Sequence, residues 1–298
     1  MSTVYFAKFN FNEDIFNLYK EGNIEDLFDK VFRNINVNTE LGDVQNKKEY
    51  NYKFISLDKK PDEYIINGRI VAYAPGTHVS YNKETDEIVE VEDDKKASYV
   101  TFSFDVRSEI IGFVAKVDFG RNQFLQRFKN LIDNTCEVGE VQLYLATDNR
   151  QLTEQMERFK ELKKMSIELI PPNDERKDFE DLFDLDPDKI EETGARKFVF
   201  VLEGIKNIGL MLNSNYVKNF IRATVLGYGI VKAEGINTNN DEFRVNSNKD
   251  ALFTSPIPSF NKDSIPAIEI KTAAAKVQLR QTRTIIREEI EEEKKNQE

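Results

Sequence analysis

Val100, Phe102, Phe104 and Val106 alternate with Thr101, Ser103 and Asp105, a two-residue period that marks a β-strand. A second apolar run at 109–119 follows across Arg107-Ser108, so the pair reads as a hairpin. At Gly120 the period changes. Phe124, Leu125, Phe128, Leu131 and Ile132 recur at helical spacing and give an amphipathic helix over 121–134. Upstream, the same test predicts a strand at 2–11 and a helix over 22–35 with Ile24, Leu27, Phe28, Val31 and Ile35 on one face. Strands at 49–58 and 63–74 flank the turn former Lys-Lys-Pro-Asp, and 86–94 reads as a short edge strand or hairpin arm.

Downstream, 139–147 is a strand and 148–165 a helix, capped by Asp148 or Asn149 and burying Leu152, Met156 or Gln155, Phe159 and Leu162. A strand at 166–170 is stopped by Pro171-Pro172. Then come a strand at 195–204, a helix at 213–227 closed by Gly227, and a hairpin of 228–235 with 241–248. From Ala273 onward, Ala275, Leu279, Thr282, Ile286 and Ile290 form an apolar stripe on a long helix. That stripe needs a partner, either the body of this chain or the same helix of a second copy, which would make a homodimer.

These elements predict an α+β fold, with mixed or antiparallel sheets covered by amphipathic helices and a long C-terminal helix. The expected organisation is a β-rich subdomain at 1–97, a ββαβαβ layer at 98–173, an acidic linker at 174–194, a β-α-hairpin unit at 195–262 and the helix at 263–298.

Composition narrows the classes. With 298 residues and 40% apolar content the chain is long enough for a well-buried core. No basic region precedes an apolar core near Met1 and no run is long enough to span a bilayer, so a cytoplasmic protein without membrane insertion is expected. The net charge is −11, but it is unevenly placed: 83–96 carries −4, 174–192 carries −7 and 287–298 carries −3, which leaves the rest at +3. A cationic face on the folded body is therefore compatible with an acidic whole.

Most catalytic machinery is missing. The single His, His78, reads as a partly exposed loop residue, and the single Cys excludes thiolate zinc sites and internal disulfides. Neither G-x-x-x-x-G-K-[ST] nor G-x-G-x-x-G occurs, so ordinary NTPase or dehydrogenase work is not expected and no cofactor is implied. One catalytic alternative stays open. Glu269-x-Lys271 on a strand, with Asp241 on an earlier one, matches the metal-binding pattern of restriction-type nucleases, in which carboxylates hold Mg²⁺ and the lysine stabilises charge near the attacking water. If Ser264-Ile265-Pro266 instead starts the tail helix, Glu269 and Lys271 point to different sides.

Gly120 entering a helix whose first residue is Arg121 places free amides beside a guanidinium, a combination that suits phosphate. Arg127 and Lys129 extend the polar side of that helix, and Arg150, Lys160, Lys163 and Lys164 decorate the next. A cationic surface of this kind binds DNA through its backbone. The plainer alternative makes Gly120 a tight turn and the bases solubilising residues. A third reading uses the acidic segments as a DNA mimic or a partner surface.

The succession of the Ile-Gly-Phe strand ending in Phe119-Gly120, a helix, a Gly-Glu strand at 139–147, a second helix and a strand resembles the middle of RexA-type phage-exclusion proteins, over residues 99–170. It is also similar to proteins of this size encoded near prophages and mobile elements. The resemblance implies a dimeric, non-enzymatic DNA-binding protein that senses invading phage and acts with a partner effector protein.

Overall fold

A computed structural model describes residues 1–13, 23–45, 48–173, 176–183 and 185–295, leaving out the side chains of 78, 94 and 176–178. The fold is α+β, built on two antiparallel sheets.

The first sheet has the order β12-β1-β6-β5-β4-β3-β2, with β7 also pairing β1. Its strands are β1 (Ser2–Phe11), β2 (Glu40–Gln45), β3 (Lys48–Lys60), β4 (Ile65–Asn82), β5 (Glu87–Asp105), β6 (Ile110–Phe113), β7 (Val141–Leu145) and β12 (Thr254–Ile257). Alternation along β5 divides its work. Phe102 and Phe104 face helix α2 (Arg121–Thr135), where Phe128 meets Phe54, Phe102 and Phe104 edge-on at centroid distances of 5.3 to 5.6 Å. Helix α1 (Ile24–Asn34) buries Leu27, Phe28 and Val31 in the same core.

Helix α8 (Ile265–Lys295) crosses the opposite face of this sheet. There Gly112 is required: a Cβ would lie 2.1 Å from Thr272 Oγ1 and 3.3 Å from a Phe6 ring carbon. Thirty-one residues at about 1.5 Å each reach well beyond one sheet. Ile268 and Ala275 pack with Val4 and Phe6 of the first sheet, whereas Ile286 and Ile290 enter the core of the second. Ala275, Ile286 and Ile290 of the tail's apolar stripe thus pack against their own chain.

The second sheet has the order β11-β10-β8-β9, from β8 (Phe159–Leu169), β9 (Phe198–Glu203), β10 (Gly229–Asn237) and β11 (Glu242–Asn246). It is covered by α3 (Asn149–Glu157), α4 (Arg176–Phe183) and α6 (Asn215–Val225), whose Phe179, Phe183, Phe220 and Ala223 are buried. The short α5 (Pro187–Glu191) and α7 (Ser247–Asp250) complete the fold.

Four expectations need correction. β5 runs unbroken through residue 97, so no subdomain ends there; its pairing with β4 continues from Asn82↔Glu87 to Ile65↔Asp105. His78 accordingly lies in β4 rather than in a loop, paired with Val91. The segment 174–194 is no linker, because its described part supplies Phe179, Leu182 and Phe183 to the second core. Finally, the predicted helix at 148–165 ends at Glu157, and Phe159–Leu169 is strand. Register shifts against β10 make Lys160 and Lys163 extra residues in the ladder. Each adds one residue to a two-residue period, so inward-facing Phe159, Leu162 and Met165 fall three apart and imitate a helix. The layer expected at 98–173 is consequently divided, β5 to β7 in one sheet and β8 in the other.

Cys136 closes α2, fully buried beside Thr135 Oγ1 at 3.3 Å, and burial pushes its thiol up to about 11. The native state therefore holds a proton that the unfolded state releases at lower pH. Stability is expected to fall as pH rises from the ordinary thiol range through about 11. In the folded protein at about pH 8, Cys136 should resist an aromatic disulfide reagent that labels it fully in denaturant. Rapid native labelling would contradict this packing. Among the described residues no helix is long and apolar enough to cross a membrane.

Candidate functional site

Where the two sheets meet, β1, the β5–β6 turn, the C-terminal end of α6 and the middle of α8 enclose a cavity of about 220 Å³. Among the described residues its ionic lining is Lys8, Arg107, Glu109, Arg280 and Arg283. Each reaches the cavity for a local reason. Glu109 closes the β5–β6 turn at φ 57°, its amide donating to Val106 O at 3.1 Å, and this turn aims the carboxylate inward. Lys8 follows the strand alternation of β1, with Ala7 and Phe9 buried on the other face. Gly227, at φ +87°, ends α6 and leaves room for Lys8: a Cβ there would lie 2.7 Å from Lys8 Cβ. Arg280 and Arg283 stand three residues apart on α8 and so share one helix face.

The polar contacts centre on Glu109, which is 2% exposed. Its carboxylate accepts from Lys8 Nζ and from Asn173 Nδ2, and its carbonyl accepts from Phe9 N at 2.7 Å. Asn10 Nδ2 donates to Gly227 O at 3.2 Å, and the buried Asn10 and Asn173 continue the polar seam between the sheets. Arg283 Nη2 donates to Tyr228 Oη at 2.9 Å and Arg280 Nη2 to Ser108 Oγ at 3.4 Å. Arg107 lies 4.0 Å over the Tyr64 ring and pairs outward with Glu25 at 3.3 Å.

Lys8, Arg280 and Arg283 thus converge on one cleft, where Glu109 is the carboxylate that Lys8 contacts. Burial lowers Arg283 to about 10, with the nearby Arg287 charge adding to the effect. Burial also lowers Lys8, followed by the attraction of Glu109, which raises it, and the repulsion of Arg283, which lowers it again.

The residues singled out from the sequence fare differently. Arg127 is 1% exposed and is no surface contact. Its Nε and Nη2 donate to Asp43 at 2.9 and 3.1 Å, and its guanidinium stacks among Tyr50, Tyr52 and Phe119. Lys129 is neutralised by Asp133 at 2.6 Å and Glu140 at 3.1 Å. Arg121 stays half-buried at the start of α2, its guanidinium 5.7 Å from the Tyr5 ring centre. Arg150 pairs with Glu154 at 2.8 Å, and Lys160 donates to Asn240 Oδ1 at 2.7 Å. Lys164 pairs with Glu203 at 3.1 Å, and Lys163 lines a groove that also holds Glu203, Glu234 and Glu242. No cationic ridge forms from these residues.

The nuclease constellation is not assembled either. Glu269 and Lys271 lie on α8, not on a strand, and Glu269 is engaged by Lys60 at 2.5 Å and Asn67 at 2.7 Å. Asp241 sits in the β10–β11 turn of the other sheet, its amide donating to Asn237 Oδ1 at 3.0 Å. Among the described residues no group of three or more His, Cys, Asp or Glu side chains converges.

The cleft leaves one trace in the sequence. Lys276, Arg280, Arg283 and Arg287 step by four, three and four along a segment without Asp or Glu, a cationic helix stripe. Lys8 and Glu109, 101 residues apart, gave no signal.

Residues 15–255 match the family described as a domain of unknown function, DUF4747. That span includes Arg107, Glu109 and Gly227, while Lys8, Arg280 and Arg283 lie outside it. No curated protein matches the chain.

Proposed function

The chain belongs to the DUF4747 family, and on that footing we propose that it is a non-enzymatic binding protein for the phosphate of a nucleic acid. The phosphate sits in the cleft between the sheets, held by Lys8, Arg280 and Arg283. The observation that carries this reading is the convergence of Lys8, Arg107, Arg280 and Arg283 on one cleft between the sheets. The volume of about 220 Å³ falls below the roughly 300–1,000 Å³ of ordinary small-molecule pockets, so it suits one phosphate with its sugar. A strand end or one exposed backbone phosphate fits that description; a duplex groove contact does not. A sensor or regulator acting with a partner protein, in phage defence or on a mobile element, is the setting suggested by the resemblance of residues 99–170.

The test is fluorescence anisotropy with single-stranded and duplex oligonucleotides, with and without a 5′-phosphate, over a range of salt. Affinity is expected to be higher for phosphorylated ends and to fall with salt. The double variant Arg280→Ala/Arg283→Ala should weaken it at least about tenfold, the scale of losing charged hydrogen bonds. Arg150→Glu with Lys163→Glu, remote from the cleft, should leave it unchanged. Absence of binding to every oligonucleotide at low salt would overturn the proposal.

A further inference from the structure

β9 is the open edge of the second sheet. It pairs with β8 alone, and no hydrogen bond joins its other side to a described segment. Its backbone polarity follows from one contact. Gly204 N donates to Lys163 O at 2.8 Å, so that pair exchanges hydrogen bonds with β8. By the alternation of antiparallel ladders, Leu202, Phe200 and Phe198 do the same. Val199, Val201 and Glu203 therefore aim their amides and carbonyls at the open edge.

The side chains divide just as cleanly. Phe200 stacks on Phe220 at 4.8 Å and Phe198 lies 6.2 Å from Phe179, so the even positions serve the core. Lys197, Val199, Val201 and Glu203 share the outer face, where Val199 is 59% and Val201 51% exposed. Exposed Ile205, Ile208 and Met211 continue the apolar surface past the end of the strand. The other edges carry protection that β9 lacks. β12 has four residues including Pro256, β11 places Glu242 and Arg244 on its solvent face, and β2 carries Glu40 and the Asp43 that holds Arg127.

We propose that β9 pairs antiparallel with β9 of a second copy, about a two-fold axis through Phe200. The strand is self-complementary in that register. Lys197 falls opposite Glu203 of the other copy, Val199 opposite Val201, and Phe198 opposite Leu202, with both Lys–Glu pairs formed by symmetry. Hydrogen-bond phase agrees, since the residues set opposite one another on the outer face are those whose backbone groups point outward. Moving the axis to Val199 or Val201 keeps that phase but sets Lys197 opposite Val201, or Glu203 opposite Val199. Within each copy Lys197 already pairs with Glu168 and Glu203 with Lys164, both at 3.1 Å. The intermolecular pairs extend these into a network, and this charge complementarity selects both the occupant and the register. Two four-stranded sheets become one of eight, and this interface is independent of the cleft and of α8.

Sedimentation velocity of the full chain from about 1 to 100 µM reads the outcome. Wild type should sediment as a dimer. Lys197→Glu should raise the dissociation constant at least about tenfold by setting like charges opposite one another, and Lys197→Glu/Glu203→Lys should restore it. Val201→Lys should give monomer with an unchanged circular dichroism spectrum. Should that variant fold poorly, the charge series decides alone. A wild-type monomer across the range, or a dimer indifferent to both Val201→Lys and the charge reversal, overturns the proposal.

Discussion

Replacing Arg127 by alanine is expected to destabilise the fold by about 3–5 kcal/mol, the range for removing one partner of a buried ion pair. The guanidinium fills a slot between Tyr50, Tyr52 and Phe119 and donates twice to Asp43. Its loss leaves a carboxylate without its bidentate partner and a void among the rings. Urea denaturation should show the midpoint falling at unchanged m-value. The double variant Arg127→Met/Asp43→Asn, which removes both charges and refills the slot, should recover most of the loss. A surface phosphate contact would behave otherwise: alanine there changes stability by no more than about 0.5 kcal/mol. A near-native midpoint for Arg127→Ala would therefore refute the buried role.

Glu109→Ala is expected to cost a similar amount, about 3–5 kcal/mol, because it strips the buried carboxylate from its ion pair with Lys8. It also removes the acceptor for Asn173 Nδ2. The variant has a second, diagnostic property. Inorganic phosphate should raise its melting temperature more than it raises that of wild type, since the added anion takes the place of the missing carboxylate. Chloride at equal ionic strength controls for screening. Equal shifts in both proteins would mean that the cleft does not select phosphate, and unchanged melting of Glu109→Ala without ligand would mean that its charges are not coupled.

Both predictions concern side chains whose surroundings are assembled from distant segments. Arg127 shows why periodicity misjudged it. On the helical wheel of α2 it sits beside Leu131 and Phe124, at the margin of the apolar face, and a charged residue at that margin is normally solvated. Only β2, contributing Asp43 from 84 residues away, turns the margin into an interior. Lys129, two residues on, met the same fate through Glu140. The cationic ridge expected from the sequence was thus neutralised by acids within the folded body.

Local chemistry decided much of the secondary structure. Alternation in 98–106 and helical spacing in 121–134 correspond to β5 and α2, and Gly227 does close α6, because these features depend on neighbours a few residues away. The α+β class followed from the same patterns. Tertiary contacts determined the rest. The bulges at Lys160 and Lys163 exist only against β10, so a strand wore the spacing of a helix. The stripe of α8 was legible, but whether it met its own chain or another depended on how far a 31-residue helix reaches across two sheets. The cleft was the least legible feature. A site whose charges come from β1, a turn, and α8 has no period in the sequence, since burial and the balance between unlike charges are properties of three-dimensional neighbours and not of spacing along the chain.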